Sequence, residues 1–118
     1  MNVKEFSKLT GLSAHTLRYY EKIGLLKNIN RNQSGHRVYS PKDTDWINFV
    51  IRLKDTGMPL QEILSYASMR SNGSETLVCR QQLLENHRLN LKSHIQKQQE
   101  HLEALEHKIQ LYKSGKVS

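Results

Sequence analysis

The sequence predicts a mainly α-helical chain: a small N-terminal domain of short helices with one β-hairpin, then a single long helix. Three observations carry that reading. Apolar residues over the first 70 positions come in short clusters broken by glycine. A turn signal, Asn32-Gln33-Ser34-Gly35, separates two short segments. From about residue 75 to residue 113 there is neither proline nor glycine, and leucine recurs every seven positions.

Val3, Phe6 and Leu9 recur at helical spacing, so the chain opens on a short amphipathic helix. Gly11 offers the positive φ that a helix C-terminus often needs. Ser13 then caps a second helix over 14–23, with Leu17 and Ile23 facing inward, and Gly24 ends it. Two short helices around a tight glycine turn form a helix-turn-helix. Residues 27–39 read as a β-hairpin with a basic tip, which makes the helix-turn-helix a winged one. Pro41 and Asp43 start a third helix, over 42–56, and Pro59 a fourth, over 59–68.

The stretch Ser71-Asn72-Gly73-Ser74-Glu75 reads as a turn into the last helix, over 75–113. Leu77, Leu84, Leu91, Leu105 and Tyr112 fall on one seven-residue ladder, with Gln98 in the missing rung. Ile95, Leu102 and Ile109 form a second ladder beside it. Together they make a heptad seam, clean from 91 to 112 and interrupted upstream by Gln81 and Arg88. At 1.5 Å per residue this helix is ~58 Å long and does not fold back on itself. Another chain must cover its seam, through Leu84, Leu91, Ile95, Leu102, Leu105, Ile109 and Tyr112, and a homodimer is the simplest solution. Residues 114–118 read as a tail with nothing to pack against. The expected division is therefore 1–70, 75–113 and 114–118.

The formal net charge is +7, and ten Lys and Arg face five Asp and Glu in residues 1–60, against eight and six in residues 61–118. A basic excess concentrated in the helix-turn-helix half points to nucleic acid. No apolar run reaches the ~18–20 residues of a membrane helix. The N-terminus has no apolar secretion core, and one cysteine excludes an intrachain disulfide. These features place the chain in the cytoplasm.

The run Ser13-Ala14-His15-Thr16-Leu17-Arg18-Tyr19-Tyr20-Glu21 is the strongest chemical constellation. On a helix His15, Arg18 and Tyr19 share one face and Leu17 turns away. A guanidinium, an imidazole and phenolic hydroxyls suit base edges and phosphates in a major groove. Ser13, Thr16 and Tyr20 complete the candidate surface of this helix. At the hairpin, Asn32, His36 and Arg37 suit the backbone or minor groove, and Tyr39 suits either DNA or the core. Lys54 and Arg52, at the end of the third helix, are candidates for phosphate contacts.

LSAHTLRYYEKIGLL, RNQSGHRVYS and RLKDTGMPLQEI closely resemble the MerR family of bacterial transcription regulators, over residues 1–70 almost without a gap. The resemblance implies a second wing made by the third and fourth helices and an antiparallel coiled coil. It also implies an inverted-repeat operator in double-stranded DNA, and action with RNA polymerase at a promoter whose overlong spacer is bent and untwisted. Arg37 and Tyr39 fall in the family's G-x-R-x-Y element. QLLENHRLNLKSHI and LEALEHKIQLYK look similar to the short branch that answers aldehyde or thiol stress, although Arg52 stands where members of that branch may carry a reactive cysteine.

Cys79 lies in the first turns of the long helix beside Arg80; it is a candidate sensor thiol or a structural one. Metal-sensing members of the family pair such a thiolate with cysteines beyond the helix, and this chain has none, so neither a metal nor another cofactor is expected. His87, His94 and His101 stand two turns from one to the next, too far for one helix to hold one ion, and read as a solvated or interface-flanking stripe. There are no paired carboxylates, no nucleophile with a nearby base and no phosphate-cradling glycine loop, so the chain is not expected to be an enzyme. The alternative to a promoter regulator is an architectural protein whose long helix docks another partner.

Overall fold

The computed structural model describes residues 1–117. The chain divides into two compact units, Met1–Arg80 and Gln81–Ser118.

In the first unit, α1 spans Val3–Thr10, α2 Ala14–Ile23, β1 Asn30–Arg31, β2 Arg37–Val38, α3 Pro41–Asp55 and α4 Leu60–Ser71. A 3-10 turn over Gly73–Thr76 leads into α5, Leu77–Lys113. Each early helix has a local reason to start where it does. Asn2 and Glu5 form a capping box on α1, Ser13 accepts from the Thr16 N–H at 3.0 Å, and Ser40 with Asp43 caps α3, with Pro41 in its first turn. Gly11 and Gly24, at φ 75° and 91°, let the chain leave α1 and α2 through the left-handed region. The N–H groups of both Leu25 and Leu26 then donate to the Tyr20 carbonyl, which swings the two leucines into the core.

That core is drawn from α1, α2, α3 and α4 and from the connections that carry Leu25, Leu26, Tyr39 and Met58. Phe6, Leu17, Leu25, Leu26, Ile47, Val50 and Ile63 are fully buried, and each contributes about 1.5–3 kcal/mol. Helix α1 packs on α2 and α3, and α3 on α4. The Phe6 and Tyr39 rings stack with centroids 4.1 Å apart. Trp46 donates its indole N–H to the Leu25 carbonyl at 2.6 Å, stacks on Tyr66 at 5.9 Å, and carries the Arg70 guanidinium 4.2 Å above its ring.

Several boundaries differ from the sequence expectation. The hairpin is antiparallel, with Asn30 opposite Val38 and Arg31 opposite Arg37, but its strands are two residues each rather than filling 27–39. Leu25 and Leu26 serve the core, and the turn takes the middle. Helix α4 runs to Ser71, past the expected 68, and α5 starts at Leu77, because the 3-10 turn occupies the residues before it. Leu9 is 59% exposed, so α1 buries Phe6 without the full stripe its spacing suggested. The tail is not without structure among the described residues. Gly115, at φ 72°, closes α5, and the Lys116 N–H returns to the Leu111 carbonyl at 2.9 Å. Ser118 lies outside the described residues.

In the second unit α5 is one uninterrupted helix through the heptad region. Leu84 and Leu91 are half-buried, whereas Ile95, Leu102, Leu105, Ile109 and Tyr112 are exposed along the chain, with Gln98 exposed among them.

Candidate nucleic-acid interface

Helix α2 separates its faces as the sequence requires. Leu17 and Tyr20 are buried, while Ser13, His15, Arg18 and Tyr19 are exposed. Lys22 is exposed too, four positions beyond Arg18 and seven beyond His15, so it belongs to the same face. Sequence reading passed it over, although the i, i+3, i+7 spacing was there to be seen. Thr16 is half-buried, and its hydroxyl lies 3.0 Å from that of its capping partner Ser13.

Tyr20, expected at the interface, is placed inside instead, and Tyr39 takes the core side of the alternative its sequence left open. Tyr20 is buried, and its hydroxyl accepts from the Lys54 ammonium at 3.4 Å. The pair ties α2 to the end of α3 beside an apolar groove of about 260 Å³ that Tyr19, Val50, Met58 and Leu60 help to line. Tyr39 is 2% exposed, held by its stack on Phe6 and by a two-way backbone pairing with Met1. Burial pushes its phenol above the ordinary value of 10.0; Arg37 opposes this and Glu21 adds to it.

The hairpin tip is exposed from Asn32 to His36. Asn32 is occupied in building it: its side-chain oxygen accepts from the N–H groups of Ser34 and His36, both at 3.0 Å. Gly35, at φ 81°, completes the turn. Arg31 is exposed and donates to the Gly35 carbonyl at 2.9 Å, which presents a guanidinium at the tip that sequence reading had not selected. Arg37 is half-buried, and its Nε donates to the Glu21 carboxylate at 2.5 Å, with Arg31 4.0 Å from the other oxygen. An acidic residue inside a basic run was the available signal for Glu21.

Lys54 and Arg52 are exposed at the C-terminal end of α3. Arg70, Arg80 and Lys42 rim a second groove, about 420 Å³, over Trp46, Phe49 and Tyr66. Cys79 is exposed on the first turn of α5. Among the described residues no cluster of three or more His, Cys, Asp or Glu is disposed to hold a metal ion, and no helix is long and apolar enough to cross a membrane.

A capped helix that displays His15, Arg18, Tyr19 and Lys22, beside a hairpin with an exposed basic tip, defines a winged helix-turn-helix protein of the DNA-binding class. Comparison with known proteins places it further. Residues 1–69 match the family described as MerR HTH family regulatory protein, and residues 44–110 match the one described as MerR, DNA binding. The chain belongs to the MerR family of transcriptional regulators.

An uncharacterised HTH-type transcriptional regulator of Haemophilus influenzae is 39% identical over 91% of this chain and 79% of its own length. The HTH-type transcriptional regulator AdhR of Bacillus subtilis is 34% identical over 77% of this chain, which spans 65% of that relative. The crystal structure of HiNmlR, a MerR family regulator lacking the sensor domain, bound to promoter DNA, superimposes with a TM-score of 0.88 at 36% identity, over 98% of this chain and 91% of the other. The expected fold class is therefore that of solved MerR regulators. These relatives are transcriptional regulators.

Proposed function

We propose that the protein binds an inverted-repeat operator in double-stranded DNA as a homodimer and regulates transcription by distorting a promoter with an overlong spacer. The observation that carries this reading is the exposed face of α2 beside the basic hairpin tip, together with an apolar seam on α5 that one chain leaves uncovered. His15, Arg18 and Tyr19, with Ser13 and Thr16 at the N-terminus of the helix, meet base edges and phosphates in the major groove. Arg31 and His36, held by the Asn32 turn, meet the flanking backbone, and Lys54 meets a phosphate on the other side.

In this reading residues 1–70 bind DNA, 75–113 dimerise as an antiparallel coiled coil, and 114–118 are the C-terminal tail. The dimer seam is Leu84, Leu91, Ile95, Leu102, Leu105, Ile109 and Tyr112. Wings on both sides of a recognition helix grip backbone, and a gripped backbone bends and untwists, so RNA polymerase engages both promoter elements across the stretched spacer. A protein acting on promoters in this way works in the cytoplasm. The structure of HiNmlR, a MerR family regulator bound to promoter DNA, supports the DNA half of the proposal. In this chain a thiol response, where there is one, runs through Cys79, because it is the chain's one cysteine.

The test is transcription in vitro from the promoter upstream of the gene, with and without the protein, on the natural spacer and on one shortened to ordinary length. Stimulation on the long spacer that vanishes on the short one is the expected result. Equal effects on both templates would sink the distortion mechanism while leaving DNA binding standing.

A further inference from the structure

Glu21 is an acid on a surface proposed to meet polyanionic DNA, and electrostatics alone makes it a liability there. Its geometry gives it work. It sits in the last turn of α2 with its side chain 27% exposed, one oxygen hydrogen-bonded to the hairpin and the other facing a second hairpin arginine. Oε2 takes the Arg37 Nε–H of β2 at 2.5 Å, and Oε1 lies 4.0 Å from the Arg31 guanidinium of β1. Arg31 and Arg37 are also the pair directly opposite each other in the ladder. One carboxylate therefore clasps both strands of a hairpin only two residues deep, whose own ladder is too short to hold a fixed angle to the helix. Arg31 then reaches on to the Gly35 carbonyl, so the clasp extends to the tip.

We propose that Glu21 is the positioning residue of the wing: through Arg37 and Arg31 it sets the hairpin at a fixed angle to α2, so that tip and recognition helix meet the same duplex together. The proposal rests on the reading of the hairpin as a DNA-contacting wing. It also reassigns Arg37 from a phosphate ligand to the arm that Glu21 holds.

The measurement is operator affinity as a function of salt for Glu21→Gln, with the dimer's mass and thermal unfolding followed in parallel. Simple electrostatics and the proposal predict opposite signs. If Glu21 only repels phosphates, its neutralisation strengthens binding to every DNA and leaves the salt slope the same or steeper. If Glu21 positions the wing, operator affinity falls about tenfold, the size expected for losing a charge-assisted hydrogen bond. The salt slope then flattens by about one unit as the tip leaves its phosphate, even though an acid has been removed. A merely structural ion pair would lower the unfolding temperature without moving the slope.

In an Arg37→Ala background, Glu21→Gln is expected to weaken the operator complex much less than it does alone, because the main arm of the clasp is already gone. A control separates this proposal from the one beneath it. If His36→Ala and Arg31→Ala at the tip leave affinity and slope unchanged, the wing does not touch DNA and the functional reading fails there. If the tip substitutions weaken binding but Glu21→Gln leaves it unchanged or tightens it, the clasp alone is overturned.

Discussion

The N-terminal unit buries its apolar residues within one chain, with Phe6, Leu17, Leu25, Ile47 and Ile63 essentially inaccessible, whereas α5 carries Ile95, Leu102, Leu105 and Ile109 between 44% and 59% exposed. Both regions obey the same sequence rule of apolar periodicity. They differ in where the complementary surface comes from. Short helices joined by glycine turns fold back and supply each other's partners; a helix of 37 residues without a break has no such option. An exposed apolar stripe at seven-residue spacing is the feature on which the proposed dimer rests, as the buried one is the feature on which the fold rests.

The sharpest way to break this contrast is to substitute Leu102 and Leu105 together by Asp. Each carboxylate buried in a dimer seam costs roughly 3–5 kcal/mol when nothing compensates it. Sedimentation is expected to register a fall from dimer to monomer mass, and an unchanged mass would refute the seam. The converse experiment is Phe6→Ala. It removes a side chain with no exposure and leaves Tyr39 without its stacking partner, a loss of about 3–5 kcal/mol. Thermal unfolding of the N-terminal unit should move sharply downward while the α5 seam, which the substitution does not touch, keeps its apolar residues.

Arg18→Ala tests neither core nor seam. It removes an exposed guanidinium from α2 and is expected to cost about 1–3 kcal/mol of operator affinity at fixed salt, with no change in unfolding. An operator titration with unaltered affinity would take Arg18 off the reading face.

The smallest effect concerns Tyr39. Its phenol has a folded-state pKa raised by burial above the ordinary 10.0, so the folded protein holds that proton more tightly than the unfolded one. The unfolded state therefore binds fewer protons above pH ~10, and stability falls as pH rises through that region. The contribution is complete below the unfolded pKa and is lost as pH rises from there through the higher folded one. Chemical denaturation across the alkaline range should show a steeper decline for the native protein than for Tyr39→Phe, and parallel curves would mean that the phenol titrates alike in both states.

Much of this organisation was legible because it is local. Ser13, the Pro41 and Asp43 start and the positive-φ glycines act within a few residues, so helix starts and stops could be read directly, and Leu17 against Arg18 follows from helical period alone. Tyrosine was harder, since its ring suits a core and its hydroxyl a phosphate. Both go inward: the Tyr39 ring stacks on Phe6, and the buried Tyr20 keeps its hydroxyl on Lys54, contacts made far away in sequence. The Glu21–Arg37 pair spans sixteen positions between a helix and a strand and has no period to betray it. The hairpin strands came out short because the Asn32 side chain organises the turn from within, a hydrogen-bond pattern that composition hints at and only geometry fixes.

Trp46 is the chain's one tryptophan, and it is buried against Leu25, Tyr66 and Arg70, all in the N-terminal unit. Its indole emission is thus an intrinsic optical label for that unit alone. Light absorbed by Tyr66, 5.9 Å away, drains into it, while the second unit carries a tyrosine at 112 and no indole. Quenching, red shift or lifetime of that single emitter reports whether α3, α4 and the Leu25 loop stay packed, without a tag and without interference from whatever covers the long helix.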